Sequence, residues 1–221
     1  MNRVVEIVGP RGQSVIVVGG ILGLASDEPL ARNAFMDAKP EEVLLGVPYE
    51  DLDAIRATSG KEESSEFETG DIDDDYVRRL KSFGDVRTPP PDLYSVFRLA
   101  EEKKIPVRAI DLGDLAYTEA YTQNVGMFEV LRSNRNQRKL PDREIEAATV
   151  EEFAVRWDDA VYPTKGLQKL QALREEEMVS CIEKTVPTRV LALLPLARMT
   201  GVIERLQRAG WKTSTSSAYQ A

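Results

Sequence analysis

The side chains able to do chemistry in this 221-residue chain are carboxylates and guanidiniums, for it has no histidine and one cysteine. Ser-His-Asp and Cys-His catalysis, an imidazole general base and a His-built zinc site are thereby excluded. A single thiol also rules out a thiolate metal cluster, so any metal would be a hard ion held by carboxylates. Asp111 ends a strand-like run, Asp114 follows it, and Arg174 and Glu175 sit in a long helical pattern. Two carboxylates in one cleft can share acid and base work or hold Mg²⁺ or Mn²⁺. The plainer use of Asp111 is to cap a helix starting near Gly113, and that of Arg174 and Glu175 is to ion-pair along their own helix. Arg198, beside the last strand, suits an anion such as phosphate or carboxylate, or an ion pair with Asp111.

Other motifs are weaker. Asp71, Asp73 and Asp75 start like a calcium loop, but Tyr76 stands where the turn glycine belongs and Ser82 where the bidentate glutamate belongs. GPRGQS lacks the Lys-Ser/Thr ending of a phosphate loop, and GGILG does not fit a dinucleotide fingerprint. No nucleotide or other cofactor is therefore expected. The stretch RSNRNQRKLPDR carries Arg132, Arg135, Arg138, Lys139 and Arg143 at near-helical spacing. It has no interleaved aromatics and belongs to an acidic chain, so nucleic acid is not the expected partner. Cys181 reads as a small hydrophobe on a helix face with Met178 and Ile182.

Composition bounds the rest. Apolar residues at 42% and charged residues at 30% describe an ordinary soluble globular chain. No apolar run approaches the length of a membrane span, and no signal peptide is visible at the start, so a cytoplasmic protein without membrane attachment is expected. The net charge of −8 is concentrated in residues 59–75, where eight acids and one lysine give −7. With its Gly and Ser content that segment reads as a flexible loop or insertion.

The elements that must position these residues follow from periodicity. Residues 3–8 and 14–20 flank GPRGQ as a β-hairpin, the second strand apolar at consecutive positions and hence covered on both faces. A helix begins near Ser26 or Asp27, a buried strand covers 41–48, and YEDLDAIRAT is a short helix. Residues 89–104 form a helix with Leu93, Val96, Phe97 and Ala100 on one stripe, and 105–111 a third core strand. Helices are predicted over 114–139, 150–158 and 167–184, then a fourth core strand over 188–195 and a closing helix stopped at Gly210. This alternation predicts one α/β domain over 1–211, with a mainly parallel sheet, helices on both faces and an N-terminal hairpin; 212–221 reads as a tail. In such sheets ligands bind beyond the carboxyl ends of the strands, here Gly19–Gly23, Gly46–Pro48, Asp111–Asp114 and Pro195–Arg198.

Those loops, taken in order, resemble the TraB/PrgY/Tiki family, within the wider superfamily of ChaN and erythromycin-esterase proteins. GGIL (19–22) matches a family GTAH motif, PEEVLLGV (40–47) a PDVVAVEL strand and AIDL (109–112) a strand ending in iDR. REEEMV (174–179) matches a REkyMA helix, and LLPLARMTGVI (193–203) a VVGAGHvpGI turn. The resemblance spans most of the chain and rests on order and spacing. It implies that the family's first-motif histidine, second-motif glutamate and last-motif histidine fall at Leu22, Gly46 and Arg198. None of the three can act as a metal ligand or base at neutral pH.

The expectation is thus a TraB-like binding or regulatory protein without catalysis or metal. Its cleft would draw on Gly19, Gly20, Asp111, Asp114, Arg174, Glu175 and Arg198 for a small anionic ligand or a protein partner. A homodimer through the sheet edge is left open. A remodelled carboxylate hydrolase or peptidase using Mg²⁺ or Mn²⁺ is the alternative.

Overall fold

A computed structural model describes residues 2–58 and 71–214. Strands β1 (Val4–Val8) and β2 (Ser14–Gly20) form the antiparallel hairpin, with Val8 opposite Ser14. Its turn closes through a 2.8 Å bond from the Gly9 N–H to the Gln13 carbonyl, and Gly12 takes the left-handed conformation (φ +84°) that the bend requires. Then follow α1 (Asp27–Ala38), β3 (Glu42–Leu45), α2 (Tyr49–Thr58), α3 (Asp71–Leu80), α4 (Pro91–Glu102) and β4 (Val107–Ala109). The second half holds α5 (Asp114–Asn124), α6 (Met127–Lys139), α7 (Val150–Val161), α8 (Lys165–Glu183), β5 (Arg189–Pro195), α9 (Leu196–Arg208) and β6 (Lys212–Thr213).

These strands form one sheet in the order β4-β3-β5-β2-β1-β6. The run β4, β3, β5, β2 is parallel, while β1 is antiparallel to both of its neighbours. Alternating side chains feed two cores, as a pleat covered on both faces demands. Ile16, Val18, Val43, Leu45, Leu191 and Leu193 pack with α1, α2 and α4 through Phe35, Leu52 and Phe97. Val15, Val17, Leu44, Val190, Ala192 and Leu194 pack with α7, α8 and α9 through Phe153, Trp157, Met178 and Val202. Each such side chain, once fully buried, contributes about 1.5–3 kcal/mol before entropy is charged against it. The chain goes from β2 to β3 and on to β4 over the first face and returns to β5 over the second, so the switch lies where β5 meets β2 and β3.

Four details differ from expectation. Asp71–Asp75 belongs to helix α3 and not to a loop. The Asp75 carboxylate is buried and held by Arg78 and by Arg79 Nε at 2.8 Å, one turn away, and acids in a first turn suit the helix dipole. The remainder of that acidic segment, 59–70, lies outside the described residues. The helix predicted over 114–139 breaks at Val125–Gly126 into α5 and α6. Lys212–Thr213, placed in a tail, pair with Val8 and Ile7 of β1, and Trp211 is buried beside Gly9. Lastly, Ser26 makes no side-chain cap; Asp27 turns back to the end of β2. Among the described residues no helix is long and apolar enough to cross a membrane.

Candidate functional site

Beyond the carboxyl ends of β2, β3 and β5 the loops enclose two hollows that meet at Leu22 and Tyr76. The first, about 330 Å³, lies on the β3 side and is lined by Leu22, Val47, Ile55, Val77, Val86 and Leu93, with Asp51 at its rim. The second, about 220 Å³, lies between β2 and β5 against Ile21, Trp157, Val161 and Leu196, with Asp158 at its edge. Their walls are apolar because helices α2, α3, α4 and α7 turn apolar side chains toward the strand ends, where Ile21, Leu22 and Val47 continue the hydrophobic runs of β2 and β3. Asp51 and Asp158 are the charged residues among the described lining of the two hollows.

The glycines of the first loop serve packing. A Cβ at Gly19 would lie 2.6 Å from Leu196 Cδ1 and 2.8 Å from Met199 Sδ, so this glycine lets α9 close onto β2. A Cβ at Gly20 would lie 2.6 Å from Asp92 Oδ2. Gly20 lines the second hollow, whereas Gly19 lines neither. At Gly46 a side chain would meet Pro195 Cδ at 2.8 Å and the Leu193 carbonyl oxygen at 3.0 Å, so the position has no room for one. Leu22 is 60% exposed over the crevice.

The charged candidates are consumed by one another. Asp111, buried at the end of β4, accepts Arg174 Nη2 at 2.5 Å and Arg174 Nε at 3.1 Å, while Arg174 Nη1 donates to Gln171 Oε1 at 2.8 Å. Arg198 pairs with Asp158 through Nη2 and with Glu175 Oε1 through Nη1 at 3.2 Å, not with Asp111. Arg205 Nη1 holds the other Glu175 oxygen at 2.6 Å. Glu175 lies flat on Gly201, where any Cβ would collide with the carboxylate. Burial pushes the Arg198 guanidinium down to about 10, and its Nε is left without a partner. The expected anion subsite at Arg198 is therefore filled from within by two carboxylates. Asp114 opens α5 in an exposed position, its N–H donating to Glu50 Oε1 at 2.9 Å, and joins no buried cluster. Asp111, Asp114 and Glu175 do not assemble, and among the described residues no group of three or more acidic, His or Cys side chains is placed to hold a metal.

A further polar pair escaped sequence reasoning. Asp27 and Asp92 are both buried, at 1% and 4% exposure, behind the end of β2. Asp27 Oδ2 accepts the Ile21 N–H at 2.6 Å and is bound by Arg3; Oδ1 of each aspartate accepts no hydrogen bond. Desolvation, and then the Asp27 charge, pushes the Asp92 carboxyl up to about 7; burial likewise raises the Tyr76 phenol, with both aspartates adding to it. In the sequence Asp92 is indistinguishable from an ordinary first-turn acid, and only the approach of Gly20 gives it away.

The basic stretch lies along α6, where Arg132, Arg135, Arg138 and Lys139 are exposed beside an 87% exposed Phe128; Arg143 follows the helix. Cys181 is half-buried and its Sγ–H faces Glu177 Oε1 at 3.4 Å; burial pushes the thiol up to about 11, so it is inert at neutral pH. Among the described residues the crevice thus has apolar walls, two peripheral acids and no nucleophile paired with a base. Comparison with protein-family models and with curated proteins returns no match to this chain.

Proposed function

We propose that this chain is a non-catalytic, cytoplasmic binding protein of TraB/Tiki-like descent, whose crevice at the strand ends accepts a ligand without transforming it. The observation that carries this reading is the fate of Leu22, Gly46 and Arg198, which ring the ends of β2, β3 and β5. Leu22 offers an apolar surface, Gly46 has no space for a side chain, and Arg198 is spent on Asp158 and Glu175. None of these three residues is free to take a proton from water or polarise a carbonyl. The two-faced parallel sheet supports the family relation, because the five matched segments fall on β2, β3, β4, α8 and the β5–α9 junction. The carboxylate-hydrolase alternative loses ground, since Asp111 and Glu175 are each locked by arginine.

The test is a thermal-shift screen with elemental analysis of the purified protein. The expected result is no bound metal, no stabilisation by Mg²⁺, Mn²⁺, phosphate or acetate, and stabilisation by small apolar molecules. Metal recovered in stoichiometric amount and lost in Asp111→Asn would replace this reading with the hydrolase.

A further inference from the structure

The charge pattern around the crevice is one-sided. In the larger hollow Asp51 is the charged residue among the described lining, which holds no Lys or Arg. Asp51 feels nearby Asp114, Glu50 and Asp111; desolvation first, then these three charges, raise its carboxyl, with Arg174 opposing. Arg174 is tied to Asp111 by three contacts, so among the described lining Asp51 alone sets the sign of the larger hollow. The smaller hollow carries Asp158, already neutralised by Arg198, and is otherwise apolar apart from Tyr76 and Tyr162. A cavity of about 330 Å³ is within the range of small-molecule sites, and its few polar groups set ligand orientation.

We infer that the larger hollow is a site for a small amphiphile with an aliphatic or aromatic body and a cationic head, the body resting among Val47, Ile55, Val77, Val86 and Leu93 and the ammonium at Asp51. This inference rests on reading the crevice as a binding site and adds the ligand's chemical class. An anionic head would meet the Asp51 carboxylate and lose the water that solvates it. A cationic head keeps its water on one side and gains a carboxylate on the other. The apolar body supplies affinity and Asp51 supplies selection, the usual division in pockets of this kind.

The experiment compares n-octylamine, n-octanol and n-octanoate by calorimetry at neutral pH, all below their micellar concentrations. It uses the full chain, Asp51→Asn, and Ala54→Trp, which fills the hollow from α2. Both positions are exposed, and the pairs that hold the fold do not involve them. Octylammonium is expected to bind about tenfold more tightly than octanoate, octanol in between. Asp51→Asn should abolish most of that ranking and keep octanol binding, while Ala54→Trp should weaken all three together. Equal binding of the three ligands, or a ranking unchanged in Asp51→Asn, overturns the cationic assignment and leaves a binding crevice in place. No binding of any of the three overturns the crevice reading as well.

Discussion

At the scale of single residues, the buried carboxylates outnumber the cations beside them at one point, behind the end of β2. Asp27 and Asp92 are buried together with one nearby guanidinium, that of Arg3, which contacts Asp27 and not Asp92. Two buried carboxylates and one cation leave a negative charge uncompensated, and a proton on Asp92 removes it. The folded carboxyl of Asp92 titrates near 7 against 3.8 in the unfolded chain. A raised acid stabilises the fold fully below the unfolded value and loses that contribution as pH rises through the folded one. Stability should therefore decline between about pH 4 and pH 8, by an amount on the order of a few kcal/mol. Asp92→Asn should flatten that decline and melt higher than the parent at pH 8, as chemical denaturation at several pH values will show; an unchanged slope would place the proton elsewhere. Arg198 gives the opposite lesson. Removing it strands Asp158 and leaves Glu175 to Arg205 alone, so Arg198→Ala should cost about 3 kcal/mol or more and alter no anion affinity. The sequence offered Asp111 as the ion-pair partner of Arg198, whereas its partners are Asp158 and Glu175, because α7, α8 and α9 meet only in the tertiary fold.

Among the elements, legibility followed hydrophobic periodicity. Strands β2, β3 and β5 and helices α1 and α4 were readable because their apolar residues repeat at the period of the structure and are bounded by Gly or Pro. Helix α3 was not, since its first five residues hold four acids and the compensating cations Arg78 and Arg79 come a turn later. The α5–α6 break was hidden for another reason. No α5 residue is buried and Ser133 alone is buried in α6, so no apolar stripe marks where one helix ends. The α8–α9 contact is the element pair most exposed to mutation. Gly201 is its hinge of close approach, with Glu175 resting where a methyl would go. Gly201→Ala should push that carboxylate away from Arg198 and Arg205 and cost about 1–3 kcal/mol, read as a lower urea midpoint with the slope unchanged. A midpoint equal to the parent's would mean that α9 can slide.

For the whole molecule, strand order decides where the crevice lies, and that much was readable: the alternation of strands and helices placed a site beyond the strand ends before any coordinates. Its character was not readable, because the apolar lining is gathered from the loops after β2 and β3, from α2, α3 and α4 and from the loop before α4, each contributing one or two side chains. The same order has a temporal consequence. β5 is the last core strand in the chain and yet lies at the middle of the sheet, paired to β2 and β3 along its length. Those two strands, more than 140 residues upstream of it, have no hydrogen-bonded neighbour between them until it arrives. A growing chain therefore carries two apolar ribbons through most of its synthesis, with the central ladder missing. Such long-range closure makes for slow folding and for a vulnerable nascent state. A fragment ending at residue 187 should show no cooperative unfolding by circular dichroism, and adding residues 188–214 as a separate peptide should restore it.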